Sequence, residues 1–269
     1  MRQWQLIIER TPQNGACNMA IDETLLESVS NKARRPTLRL YRWDPFCLSL
    51  GYGQTSADVD WERLNARGWQ VVRRPTGGKA ILHGDELTYS LTLPLDDDVA
   101  QGDIVESYRR ISQGLIEALS LLGLAPQSER ARPRGERTGP VCFEVPSHYE
   151  ITVGGRKLIG SAQVRRRAGL LQHGTLPLMG DITRICEALP YASDAAREAA
   201  REQVRARATT LEAALGWRVS YDEAARAFVA GFERAFEVTF EESALTHEER
   251  ALAEARAASY RDPSWTNKR

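Results

Sequence analysis

Residues 149–160 read Tyr149-Glu150-Ile151-Thr152-Val153-Gly154-Gly155-Arg156-Lys157-Leu158-Ile159-Gly160, two short β-rich runs on either side of a glycine pair. Adjacent glycines between such runs have the composition of a two-residue hairpin turn, whose central residues need positive φ. In that register Thr152 opposes Lys157 and Ile151 opposes Leu158. Opposed side chains share a face, so Ile151, Val153 and Leu158 are expected in the core and Lys157 on the other side. A lysine held there is partly desolvated, which favours its neutral amine for proton transfer. The competing reading is a surface lysine beside Arg156, its stem lying on apolar surface.

Outward from the hairpin, residues 37–53 alternate and carry turn residues between two β-rich runs, as a pair of strands would, and residues 69–72 and 87–94 also read as strands. Helical spacing marks Ala20, Ile21, Leu25 and Val29, and again Ile104, Tyr108, Ile111, Leu115, Leu119 and Leu122, the second run ending at Gly123. A short helix is expected over 58–65. Between Pro126 and Pro140 the chain is polar, basic and rich in breakers, the signature of a loop. Residues 194–208, rich in Ala and Arg, predict a solvated helix. Ser220 with Glu223 and Thr246 with Glu249 are capping-box pairs ahead of two more helices, the first burying Phe228, Phe232 and Phe236. The last third is therefore expected to be helical. Strands in the first two thirds, with helices between and after them, give an α/β (α+β) domain.

The chain has 269 residues, 42% of them hydrophobic, enough for one main domain, placed at 1–245, with a C-terminal helical extension at 246–269. Basic and acidic residues balance at 36 each, so no whole-molecule field would gather nucleic acid or an anionic membrane. The first residues lack the apolar run of a signal peptide, and no stretch approaches the ~20 apolar residues of a membrane span, so the expected location is cytoplasmic. Four dispersed cysteines without CxxC spacing and four scattered histidines suit neither a disulfide framework nor a metal site.

Three segments can carry chemistry. In Arg73-Arg74-Pro75-Thr76-Gly77-Gly78-Lys79-Ala80-Ile81-Leu82-His83-Gly84 the glycines let backbone approach a ligand, while two arginines and a lysine can bind an anionic tail. The alternative is an ordinary glycine turn with a solvated basic rim, and the spacing excludes a Walker loop. Cys142, in Cys142-Phe143-Glu144-Val145-Pro146-Ser147, follows the basic loop and precedes a proline-restrained turn. A free thiol with pKa near ~8.5 is only a few per cent ionised at neutral pH, so as a nucleophile it gains from a neighbouring base such as Lys157. Otherwise it is a small core residue. In Gln172-His173-Gly174-Thr175-Leu176, His173 is either a general acid or base or a histidine bonded to its own turn.

Together RRPTGGKAILHGDELTYS, CFEVPSHYEITVGGRKLIGSAQ and LLQHGTLPL resemble the biotin/lipoate protein ligase superfamily over most of the chain. The resemblance implies a biotin/lipoate ligase-like catalytic domain with a mixed, largely antiparallel sheet flanked by helices. It assigns Arg73, Arg74, Thr76, Gly77, Gly78 and His83 to an acyl pocket, with Gly160, Ser161, Ala162, His173 and Gly174 also on the substrate, and Lys157 at the centre. Lipoate ligases usually carry an Asn-Asp pair in the stretch around Phe143, whereas one octanoyltransferase class, with a cysteine there, reads CFxxPSxYE, and this chain reads CFEVPSHYE. His148 departs from that class, which usually has a bulkier aromatic there. A second class with a late Pro-Cys-Gly does not fit, because Tyr191 follows Pro190. The implied activity is transfer of octanoyl from an acyl carrier protein, through a Cys142 thioester with Lys157 as proton partner, to a lysine of a lipoyl domain or glycine cleavage H-type carrier. Backbone amides near Lys157 or Gly174 could hold the oxyanion. No ATP, cofactor or metal is implied. The alternatives are an ATP-dependent lipoate or octanoate ligase with a structural Cys142, and an amidotransferase between carriers.

Overall fold

The computed structural model describes residues 1–130 and 149–268. Among them are two sheets. The larger has eight strands in the order β11-β1-β2-β6-β10-β9-β8-β7: β1 (Arg2–Ile8), β2 (Thr37–Tyr41), β6 (Glu86–Pro94), β7 (Gln127–Arg130), β8 (Tyr149–Val153), β9 (Arg156–Arg166), β10 (Gly169–Pro177) and β11 (Val238–Glu242). β1 runs parallel to both β2 and β11, and the other ladders are antiparallel. The smaller sheet, β4-β3-β5, contains β3 (Cys47–Leu50), β4 (Gln70–Arg73) and β5 (Ile81–His83). Helices cover the sheets, as expected for an α/β domain with a mixed, largely antiparallel sheet.

One face of the large sheet carries the main core. Leu87, Tyr89, Leu91 and Leu93 of β6 pack there against α3 (Ile104–Leu121) and α6 (Tyr221–Phe236), burying Phe228 and Phe232. The two helices nearly touch backbone to backbone at Gly231, where a Cβ would lie 2.5 Å from the amide nitrogen of Ala118. The Ser220–Glu223 and Thr246–Glu249 capping boxes both form, and Asp103 with Glu106 makes another at the start of α3. On the opposite face lies α1 (Gly15–Ser30), backed by α7 (His247–Arg261), with Ile7, Ile21, Leu25 and Ala253 between them. The N-terminus of α1 also rests on the small sheet, since a Cβ at Gly15 would collide with Cys47 Sγ. Thus α1 holds the two sheets face to face with a gap between them.

Several expectations need correction. The hairpin turns at Gly154 and Gly155, both with positive φ, and Thr152 does oppose Lys157. Ile151, however, pairs with Ile159 rather than Leu158, because a register shift inserts Leu158 as an extra residue. Leu158 and Ile159 are both buried as a result. The two strands in 37–53 do not pair with each other, β2 joining the large sheet and β3 the small one. Part of the expected loop at 126–140 is β7, which is paired to β8; residues 131–140 lie outside the described residues. The last third is not wholly helical, because β11 adds a parallel edge strand beside β1. The short helix begins only at Trp61, capped by Asp60, as α2 (Trp61–Ala66). Finally, α4 (Asp194–Arg207) is not a purely solvated helix, for it buries Ala200 and Val204 against the small-sheet side of the molecule.

Candidate functional site

The gap between the sheets encloses a cavity of about 130 Å³. Its floor is one row across the large sheet, Thr88 on β6, Thr175 on β10 and Gly160 on β9, which are paired neighbours. Ser161, Ala162, His173 and Gly174 extend that floor. Its roof comes from the small sheet and the following loop: Ser49, Arg74, Gly78, Lys79, Ile81 and His83. Met19 of α1, with Tyr41 and Trp43, completes the wall.

Arg73 and Arg74 have different surroundings, although they are adjacent. Arg74 lines the cavity and donates to the carbonyls of Ser49, Gly77 and Lys79 and to Ser49 Oγ, so it pins the glycine loop to β3. The side chain of Arg73 is fully buried away from the cavity, donating to the carbonyls of Gly51, Tyr52, Gln54, Trp265 and Thr266. Trp265 returns the contact, its indole N–H donating to the Arg73 carbonyl at 2.9 Å. Gly78 needs its glycine, for its φ is +94°, and Gly51 packs so closely under it that a Cβ there would meet the Gly78 carbonyl oxygen at 2.0 Å. Thr76 and Gly77 do not line the cavity themselves; Thr76 reaches it through His173.

Two histidines face each other across this space with the same wiring. His173 Nδ1 lies 3.0 Å from Asp22 Oδ2, and its Nε2 lies 2.7 Å from Thr76 Oγ1. His83 Nδ1 lies 2.6 Å from Glu86 Oε1, and its Nε2 lies 2.7 Å from Ser49 Oγ. Burial pushes the Asp22 carboxyl up, but the hydrogen bond from His173 and the charge of Arg39 outweigh it and hold it below the usual carboxylate range. Burial pushes His173 down and the charges of Arg74 and His83 add to it, together outweighing Asp22, which raises it. His173 is therefore a neutral imidazole donating from Nδ1 to Asp22 and accepting the Thr76 hydroxyl proton at Nε2. The other histidine stacks on Trp43, ring centroids 3.9 Å apart, while Trp43 Nε1 donates to Thr88 Oγ1 and Thr88 donates to Glu86. Ser49, His83 and Glu86 are ordered like a nucleophile, base and acid. Ser49, however, also accepts from Arg74, so its hydroxyl is a structural link between β3 and the glycine loop.

Lys157 is 2% exposed, which removes the surface reading. Its Nζ donates to Glu150 Oε1 at 2.8 Å, across the hairpin. The chain beside it is open because Gly160 has no side chain: a Cβ there would lie 3.2 Å from Lys157 Cε and 3.6 Å from Nζ. Since Gly160 lines the cavity, the amine sits at the cavity's edge. Cys142 lies outside the described residues, as do Phe143 to His148.

The sequence reading missed Asp22, Glu86, Ser49, Met19, Tyr41, Trp43 and Thr88. A signal existed for three of them. Asp22 falls on the buried face of α1 with Asn18, Leu25 and Val29, where a charge demands a partner. Glu86, Thr88, Ser90 and Thr92 are the polar alternates of β6, which a two-faced strand would turn to water, yet all four are buried. Among the described residues no group of three or more His, Cys, Asp or Glu could hold a metal ion.

Residues 14–233 match the lipoyl protein ligase A/B catalytic domain. The chain belongs to this family. Within it, the chain is 39% identical to octanoyltransferase LipM of Kyrpidia tusciae, over 98% of both sequences. It is also similar to a lipoate-protein ligase A solved with ATP, at 26% identity and a TM-score of 0.81, covering 99% of each chain. A bipartite lipoate protein ligase from Thermoplasma acidophilum gives 25% identity and a TM-score of 0.80, covering 99% of this chain and 97% of that one. The family fold therefore accounts for the paired sheets and the cavity between them.

Proposed function

We propose that the protein is an octanoyltransferase of lipoate biosynthesis, an acyltransferase that moves octanoyl onto a lysine of a lipoyl-carrier protein. The observation that carries this reading is the end-to-end similarity to octanoyltransferases at a level well above that to the ligases. The cavity supports it, because apolar walls and glycine-lined backbone suit an alkyl chain, each buried methylene contributing about 0.8 kcal/mol. Octanoyl-acyl carrier protein is the donor, and a lipoyl domain or an H-type carrier is the acceptor. No helix among the described residues is long and apolar enough to cross a membrane, in keeping with work in the cytosol.

In the first half-reaction the Cys142 thiol gives its proton to Lys157 and its sulfur attacks the donor thioester. Collapse of the tetrahedral intermediate expels the pantetheine thiolate, which takes that proton back. In the second half, Lys157 takes one proton from the acceptor ammonium, the freed amine attacks the acyl-cysteine, the second proton lost by that nitrogen passes to the departing Cys142 sulfur, and Lys157 returns its own proton to solvent. The Glu150 contact orients the Lys157 amine beside Gly160, at the end of the cavity where the carbonyl must lie.

The test is incubation of the full chain with octanoyl-acyl carrier protein without ATP, followed by intact mass. An added octanoyl group that disappears in Cys142→Ala supports the reading. Absence of that adduct, together with octanoate-dependent pyrophosphate release from ATP, would reassign the protein as a ligase. An adduct formed only from an octanoylated carrier domain would make it an amidotransferase.

A further inference from the structure

The cavity has a neighbour. A second recess, of about 40 Å³, is bounded by Phe46, Met179 and Ile185, by the ion pair of Arg184 with Asp85, and by the paired residues Glu86 and Pro177. Glu86 and Pro177 lie two residues along the same two strands from Thr88 and Thr175 and form the next row on that face, so the two spaces lie end to end along β6 and β10. Among the described residues one side chain lines both, Ile81, which is 7% exposed.

The position of Ile81 relative to the chemistry follows from register. Thr88 and Gly160 are separated by one intervening strand, so the Thr88 end of the floor is about 10 Å from the Gly160 end, two strand spacings away. Lys157 is at the Gly160 end. At the Thr88 end Trp43 stacks on His83, and Ile81 comes down two residues earlier on the same face of β5. An acyl chain with its carbonyl beside Lys157 therefore points its methyl end toward Ile81.

The geometry points to Ile81 as the partition that sets the acyl chain length, an inference that rests on the reading of the cavity as an octanoyl pocket. Its branched side chain stops the chain where the apolar cavity ends and shuts off a recess that, once joined to the cavity, extends it toward Phe46, Met179 and Ile185. Truncation to alanine removes three carbons from the wall. Each methylene newly buried favours the longer donor by about fourfold, so decanoyl should gain roughly fifteenfold relative to octanoyl.

The experiment compares kcat/KM for hexanoyl-, octanoyl-, decanoyl- and dodecanoyl-acyl carrier protein in the wild type, Ile81→Ala and Met179→Ala. The inference expects the decanoyl-to-octanoyl ratio to rise at least fivefold in Ile81→Ala. It should stay within twofold of wild type in Met179→Ala, which opens the outer rim of the recess and leaves the partition standing. An Ile81→Ala enzyme that keeps octanoyl transfer with an unchanged ratio would overturn it. Should Ile81→Ala fail to fold, Ile81→Val is read instead, where a ratio that does not rise also overturns it. A wild type that transfers no acyl group from any donor removes the octanoyl reading, and this inference falls with it; a wild type active on octanoyl with an unresponsive Ile81 removes this inference alone.

Discussion

The two histidine clusters on opposite sides of the cavity share one wiring diagram and differ in what they tie together. His83 and Glu86 are three residues apart at the junction of β5 and β6, and Thr88 and Trp43 complete a compact local group. His173 and Asp22 are 151 residues apart, and Asp22 also accepts from Arg39, Tyr41 and Ser90, so that one carboxylate joins α1, β2, β6 and β10. The same pattern of carboxylate, imidazole and hydroxyl thus serves two purposes: one shapes the end of a pocket, the other locks the layers that make the pocket exist.

That contrast breaks most directly at the carboxylates. Asp22→Ala leaves Arg39, fully buried, with Glu9 and Asn18 as remaining partners, and should cost about 3–5 kcal/mol in urea denaturation. Glu86→Gln keeps shape and some hydrogen bonding, and should cost only about 1–3 kcal/mol. Equal losses would mean that the local cluster is as deeply wired as the distributed one.

The pH dependence sharpens the same difference. His173 has a folded pKa below its ordinary 6.5, so below that value the unfolded chain binds the proton first. Stability contributed by neutral His173 is present above pH 6.5 and is lost as pH falls toward the folded value. Arg74 and His83 add to the penalty for a charge there, while Asp22 opposes it. Asp22 follows lower down: its stabilisation is present above pH 3.8 and is lost as pH falls through its depressed folded value. Denaturation midpoints measured from pH 7.5 to 5 should decline in the wild type and decline less in His173→Asn.

The smallest effect is expected at the clasp behind the glycine loop. Trp265→Phe keeps the ring that packs on Tyr260 but loses the hydrogen bond to the Arg73 carbonyl. It should cost about 0.5–1.5 kcal/mol. Because Arg73 precedes the loop that carries Thr76, KM for the acyl donor should rise more than kcat falls. A kcat loss at unchanged KM would disconnect the C-terminal segment from the pocket.

Much of this architecture was legible where local rules act alone. Capping boxes at Ser220 and Thr246, the Gly154-Gly155 turn and the α3 stripe needed only nearest-neighbour chemistry, and they formed where the sequence placed them. The edge strand β11 was missed because its strand character depends on β1, more than 230 residues earlier. Arg73 and Arg74 read as equivalent cations, and only the packed chain gives one to the pocket and the other to the carbonyls around Gly51 and Thr266.

By itself the sequence determined the alternation of the strands, the helix ends, the hairpin that turns Lys157 away from Leu158, and through its motifs the family. These follow from local sterics, capping and side-chain periodicity, which a few neighbouring residues decide. Tertiary structure alone decided that the polar alternates of β6 face a buried gap and that Asp22 can remain charged there. It also placed the amine of Lys157 beside the absent side chain of Gly160 and set Ile81 between two cavities. The physical reason is that burial and hydrogen-bond partnership belong to pairs of distant segments, and a side chain's charge state, reach and neighbours exist only once those segments have met.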